Sequence, residues 1–230
     1  MQKHYQVIAV ICAILAVVSC LPEKQAQPKS QQNSVAEPTS NKIPSGTYKL
    51  DLSHASLIFR VNHLGFSNYT ARFKNFDANL QFDPQNPTKA NIAAVIDPAS
   101  IETDYPDAKK HDFNAQLRGE NWLNVVRFPK IIFRSQKIIM TGEKTADIVG
   151  ELDLHGIKKP LILKATFNGG YASHPMDPSG SRIGFSAHGS LQRSDFGIKY
   201  GIPAAGSNMG VGDNVEFIIE AEFTLANNQK

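Results

Sequence analysis

The sequence predicts an all-β protein whose folded part is one antiparallel β-barrel with a short helical insertion near 107–125. Two observations carry that expectation. From Thr47 to Leu225 the apolar residues recur with a period of two, the period of a strand with one buried face and one wet face. Clusters of Gly, Pro, Asn and Asp punctuate the alternating stretches, as turns between strands require. A third observation bounds how the domain is held. The two cysteines, Cys12 and Cys20, both lie in the first twenty residues, so the folded part contains neither a disulfide nor a cysteine metal cluster. The 230 residues suffice for one large β domain or two small ones.

The elements follow in chain order. Lys3 and His4 precede an apolar run, Val7 to Val18, which is too short to span a bilayer and reads as the core of a signal peptide covering 1–19. The run ends Val17-Val18-Ser19-Cys20. This resembles the bacterial lipobox, and the resemblance implies that cleavage falls before Cys20 and that Cys20 is lipidated. More than one acyl chain anchors stably, since each buried methylene adds about 0.8 kcal/mol. Leu21 rather than Asp follows, which resembles the default for outer-membrane sorting in a Gram-negative cell. The expected location is therefore an exported lipoprotein on the outer membrane, facing the periplasm. An ordinary cleaved signal peptide is the alternative. Residues 21–45 are rich in Gln, Pro, Ser, Asn and Lys and read as a flexible tether. The domain is expected over 46–226, with a short tail at 227–230.

Short strands are expected at Thr47–Leu52, Ile92–Ile96 and Lys130–Ile138. Longer ones carry the alternation. Leu57, Phe59 and Val61 oppose Ser56, Ile58 and Arg60, and Phe76, Ala78, Leu80 and Phe82 oppose Asp77, Asn79 and Gln81. The same pattern runs through Ile148–Leu154, Leu161–Phe167, Phe185–Leu191 and Val215–Leu225. Turn signals stand at Asp83–Pro87, Thr141-Gly142, His155-Gly156, Asn168–Gly170 and Asp177–Gly180. Such strands curl into a barrel or pack as a sandwich. About eight or nine strands suit a closed barrel, whose interior is filled by side chains or holds one small ligand. Pro98 to Pro129 breaks the pattern and is too long for a bare loop. Ala108, Phe113, Leu117, Trp122 and Val125 suggest one or two short helices there, the first near Asp107–Arg118, acting as a plug or as a lid.

Little of the sequence suggests catalysis. The net charge of +3 is modest and argues against nucleic-acid binding, which needs a dense basic stripe. None of the seven histidines falls in a zinc-hydrolase spacing, so no metal site is expected. Gly184-Phe185-Ser186-Ala187-His188-Gly189 is a near miss for a nucleophile elbow and sits in a strand pattern. Gly206, Gly210 and Gly212 precede a strand and read as loop glycines rather than a phosphate loop. His63 falls on the apolar phase of its strand. It is either a hydrogen-bonded residue at the barrel end or a polar contact for a ligand head group. His155 and His188 fall on the polar phase and are expected to face solvent.

The chain has thirteen Phe against one Trp. Many occupy the inward phase, among them Phe59, Phe76, Phe82, Phe167, Phe185, Phe217 and Phe223. They either fill the core or line an apolar cavity. A lipid pocket needs mostly apolar walls with a few orienting polar groups, and filling one is driven by buried area at roughly 25 cal/mol per Å².

Seven blocks in order resemble the YceI family of lipocalin-like, polyisoprenoid-binding periplasmic proteins. They are Tyr48–Asp51 with Ser53–Ala55; Val61–Gly65; Phe73–Phe76; Ile96–Thr103; Phe128-Pro129 with Ile132-Phe133; Gly150–Gly156 with Lys159-Pro160; and Gln192–Gly197. The resemblance covers about Gly46 to Leu225. It implies an extended barrel whose elongated apolar cavity holds a polyisoprenoid, an isoprenoid quinone or a similar long-chain lipid, with binding and no catalysis or cofactor. Phe59, Phe76, Phe82, Leu152, Leu163, Phe167, Phe185 and Phe217 are the expected lining, and His63, Gln116 and Arg118 the candidates for a head group. One departure stands out. The family often has His-Leu-Arg before a helical Asp-Phe, and here Gln116-Leu117-Arg118 precedes Asn121-Trp122. Gln116 can donate a hydrogen bond but carries no charge.

The leading expectation is a carrier or sequestering protein of the cell envelope. The alternatives are an envelope enzyme or redox accessory acting on an isoprenoid quinone, and a structural lipoprotein with a filled barrel. For the former, Arg118, Arg193 and Asp195 are the polar candidates, although Arg193 and Asp195 also read as a structural pair clamping the final hairpin.

Overall fold

The computed structural model describes residues 43–226. The signal segment, Cys20, most of the tether and the tail at 227–230 lie outside the described residues. Ten strands and one α-helix follow in order. They are β1 (Gly46–His63), β2 (Ser67–Phe73), β3 (Phe76–Phe82), β4 (Asn91–Ile96), β5 (Ile101–Glu102), α1 (Phe113–Arg118), β6 (Ile131–Met140), β7 (Thr145–Leu154), β8 (Ile157–Tyr171), β9 (Arg182–Gln192) and β10 (Val211–Leu225). All strand pairings are antiparallel, and the order β10-β9-β8-β7-β6-β4-β3-β1 closes on itself because β1 also pairs with β10. Eight strands thus complete the barrel. β2 and β5 extend it at one end, β2 pairing with the second half of β1 and β5 with the last residues of β2.

Two expected elements become one. Thr47–Leu52 and the alternation around Phe59 belong to a single strand, β1. Its register against β10 shifts between Leu50 and Ala55, so Asp51–His54 bulge from the ladder. That bulge interrupts the period of two and makes one strand read as two. The expected helix near Asp107–Arg118 is shorter. Residues 106–110 form turns, and α1 begins at Phe113, where the Asp112 carboxylate accepts from the Ala115 N–H at 2.8 Å.

The barrel has two ends. One, end A, holds the entry to β1, the exit of β10, and the loops 83–90, 141–144 and 172–181. The other, end B, holds the turn 64–66, the insertion 103–130, the turn 155–156 and the loop 193–210. At end A, Tyr48, Leu80, Phe82, Ile183, Ala221 and Phe223 form one buried cluster. Towards end B, Phe133, Leu152, Leu154, Leu161, Leu163, Phe196 and Phe217 form another. The alternation of the sequence is thereby resolved: the apolar phase of every long strand faces inward.

Each end carries a polar clamp. At end A the Arg182 guanidinium donates to Asp177 Oδ2 at 2.7 Å, Asp51 Oδ2 at 2.8 Å and Glu222 Oε2 at 2.7 Å. It joins the β1 bulge, the β8–β9 loop and β10. The bond from Arg182, and then one from His54, hold the Asp51 carboxyl at about 2, and Asp177 is likewise held well below the usual carboxylate range by Arg182. At end B, Arg193 is buried and donates to three carbonyls, of Gly212 at 2.9 Å, Ile198 at 3.0 Å and Val211 at 2.8 Å. It clamps the final hairpin as expected, but not with Asp195, which pairs with Lys159 at 3.8 Å. The partner of this corner is Asp213, whose carboxylate accepts from the Ser194 N–H and hydroxyl at 2.8 and 2.6 Å.

Candidate functional site

The inward phases enclose a cavity of about 910 Å³, near the upper end of the roughly 300–1,000 Å³ typical of small-molecule sites. Its wall runs the length of the barrel. At end A it reaches Pro84, Pro87, Met140 and Lys144; at end B it reaches His63, Tyr69, Tyr105, His111, Phe113 and Gln116. Along the middle the wall is Leu, Ile, Phe and Ala from the strands. The polar side chains gather at the two ends.

All eight expected apolar residues, Phe59, Phe76, Phe82, Leu152, Leu163, Phe167, Phe185 and Phe217, stand on this wall. The rings of Phe82, Phe167 and Phe185 form a triangle with centroid separations of 5.8, 5.7 and 5.2 Å. His63 and Gln116 lie on the wall at end B. Arg118 is not on it: its guanidinium sits 3.6 Å from the Asp112 carboxylate. His188 is exposed. His155 is not, contrary to its phase. It occupies a turn with φ of 54°, its ring lies 4.2 Å from that of Phe128, and its Nδ1 is 3.1 Å from the Phe196 carbonyl. Burial pushes its pKa down. Alternation does not extend into a hairpin turn, so the polar phase carries no information about this residue.

The insertion supplies part of the wall rather than a detached loop. α1 is tied to β5 through Asn114, whose Oδ1 accepts from the Thr103 N–H and hydroxyl at 3.0 and 2.7 Å, while its amide donates to Glu102 at 3.0 Å. Phe113 contacts the rings of Tyr69, Tyr105 and His111 at centroid separations of 5.7, 5.7 and 5.9 Å. Sequence reasoning does not single out Tyr69 or Tyr105. The signal that points to them is the aromatic density around an insertion able to cover the barrel. Beside them Trp122 packs on Tyr200, with centroids 5.3 Å apart, and the Arg193 guanidinium lies 5.4 Å from the Trp122 ring.

Among the described residues no cluster of His, Cys, Asp and Glu could hold a metal ion. No described helix is long and apolar enough to cross a membrane.

A closed antiparallel barrel built around an apolar interior defines a lipocalin-like class of protein. Comparison with known proteins sharpens this. The model of the YceI-like domain matches residues 48–223, and the chain belongs to that family. A UPF0312 protein of Pseudomonas savastanoi pv. phaseolicola is 38% identical over 147 residues, covering 64% of this chain and 72% of that one. The structure of Burkholderia cenocepacia BcnA superposes with a TM-score of 0.63 at 21% identity, over 75% of this chain and 98% of that one. A polyisoprenoid-binding domain from Saccharophagus degradans, implicated in plant cell wall breakdown, superposes with a TM-score of 0.57 at 14% identity. It matches over 80% of this chain and all of its own length, so that chain consists of this domain alone.

Proposed function

We propose that the protein binds a long-chain apolar lipid inside the barrel, a polyisoprenoid, an isoprenoid quinone or a similar molecule, as a carrier or sequestering protein of the cell envelope. One observation carries the reading: the wall is apolar from one end of the barrel to the other, and its polar side chains are confined to the ends. A chain-like lipid fits that distribution, since each methylene moved from water into the cavity contributes about 0.8 kcal/mol. A polar ligand would leave its own groups unpaired along the middle, which is costly. His63 and Gln116, with Tyr105 and His111, are the residues placed to meet a head group. Membership of the YceI-like family and the polyisoprenoid-binding domain of the same fold support the ligand class. The proposal is binding without catalysis. It includes export, lipidation at Cys20 and attachment to the outer membrane on the periplasmic side, resting on the sequence around Cys20.

The test is mass spectrometry of an organic extract of the purified domain. The expected result is one co-purifying long-chain lipid near equimolar ratio. A barrel that yields no lipid, and takes up none when offered polyprenols or quinones, overturns the reading. Incorporation of labelled palmitate that is lost in Cys20→Ser checks the anchor.

A further inference from the structure

End B has a surface as distinctive as its interior. Among the described residues, five large apolar side chains are more than half exposed, and four of them stand at this end: Phe66 at 80%, Val126 at 93%, Tyr200 at 53% and Met209 at 67%. They come from three separate segments, so no single floppy loop explains them. Scattered exposed apolar residues need no explanation, but these share one end of the barrel and sit in or beside hydrogen-bonded turns. Phe66 follows a turn in which Leu64 and Gly65 both have positive φ, 57° and 75°, and the Phe66 N–H closes that turn on the His63 carbonyl at 3.0 Å. The Leu64 N–H donates to the Gly210 carbonyl at 2.8 Å, which locks the turn bearing Phe66 to the loop bearing Met209. Tyr200 is braced by Trp122, on the same insertion that carries Val126.

The charge at this end is net positive. The loops of end B, 64–66, 103–130, 155–156 and 193–210, contain seven lysines and arginines, of which Arg193 is buried, against five carboxylates, and the first residues of β8 add the exposed Lys158 and Lys159. The loops of end A, 83–90, 141–144 and 172–181, contain two lysines against three carboxylates. Exposed apolar side chains beside a net positive charge are a composition suited to the interface of an anionic bilayer. Tyr200 lies on the cavity wall as well as on the surface, so this rim is continuous with the cavity mouth.

We infer that end B docks on an anionic lipid surface, with Phe66, Val126, Tyr200 and Met209 entering the interface, and that ligand passes between bilayer and cavity through this end. The inference rests on the proposed lipid cargo. Docking brings the mouth to the ligand's own solvent, so an apolar chain need not cross water to reach the cavity.

The test uses the domain from residue 43 onward with vesicles of phosphatidylglycerol and phosphatidylcholine. The chain's one tryptophan, Trp122, lies at this end and reports depth through quenching by brominated lipid. The expected result is binding to anionic vesicles that weakens with salt, with Trp122 quenched. The triple variant Phe66→Ser, Val126→Ser, Met209→Ser should bind about tenfold or more weakly, and Met176→Ser at end A should bind as the native domain does. All these side chains are exposed, and an unchanged thermal midpoint verifies the fold. No binding to anionic vesicles, or equal binding by the triple variant, overturns the inference. Uptake of a fluorescent polyene fatty acid in vesicle-free solution separates the two readings. Uptake without docking overturns the rim alone; docking without uptake overturns the cargo, and the passage of ligand with it, but not the docking.

Discussion

The ring of Phe217 on β10 lies over Gly189, its register partner on β9: a Cβ at Gly189 would stand 2.6 Å from the ring's outer carbon. Phe133, diagonal to Gly150 across β6 and β7, would stand 2.5 Å from a Cβ there, with the Arg134 carbonyl closer still. Glycines on the inward phase thus make room for large rings on the neighbouring strand, and they set how far each ring reaches into the cavity. Gly189→Ala should destabilise the domain by about 1–3 kcal/mol, the usual cost of overpacking. Phe217→Ala should cost about 3–5 kcal/mol and enlarge the cavity. Urea titration of both variants checks the pair.

Ala165 and Ala187 face one another across β8 and β9, and both line the cavity. They keep the barrel wide near its middle. Ala187→Phe should leave the fold intact at a cost of about 1–3 kcal/mol while excluding or shortening the bound chain. Mass spectrometry of the co-purified lipid reads the change. An unaltered lipid at unaltered stoichiometry would show that the ligand does not pass this level.

The Arg182 cluster ties stability to pH. Bonds from Arg182 and then His54 depress the Asp51 pKa to about 2, below the unfolded value of about 3.9. A depressed carboxylate stabilises the fold fully above its unfolded pKa, and that contribution is lost as pH falls through the folded one. The urea midpoint should therefore drop between roughly pH 5 and pH 2. Asp51→Asn should lower the midpoint at pH 7 and flatten the drop.

Arg193 should be irreplaceable by an apolar residue of similar size. Its guanidinium serves three carbonyls in the β9–β10 corner, and a buried acceptor left unpaired costs about 1–3 kcal/mol. Arg193→Met should unfold the domain or lower its stability by at least about 3 kcal/mol. The nearby cation Lys159 offers no substitute donor, because it is engaged with Asp195. Far-UV circular dichroism and urea titration check this.

Much of the barrel was legible because its strands obey one rule. Phe59, Phe82, Leu163 and Phe217 could be placed on the inner wall from alternation alone, since a closed barrel gives every strand the same inside. What alternation could not reach was everything that leaves the ladder. The Asp51–His54 bulge makes β1 look like two strands. His155 sits in a turn, where phase has no meaning. Arg118 was legible as a charged residue on a helix, but nothing in its spacing showed that Asp112, the helix cap, would hold it off the wall. The Arg182 cluster joins positions 51, 177, 182 and 222, which only the closed register brings together. The aromatic group around Phe113 depends likewise on where the insertion folds back.

The seam between β1 and β10 sets the order in which this molecule can be completed. β1 is the first strand of the domain and β10 the last, and their pairing is the one that closes the ring. Until Val211–Leu225 is in place, β1 and the growing far edge of the sheet both expose unpaired backbone. Such edges recruit other chains, and pairings so distant in sequence form slowly. The domain's most vulnerable moment therefore comes just before completion, when nearly all of it is built and its two edges have yet to meet.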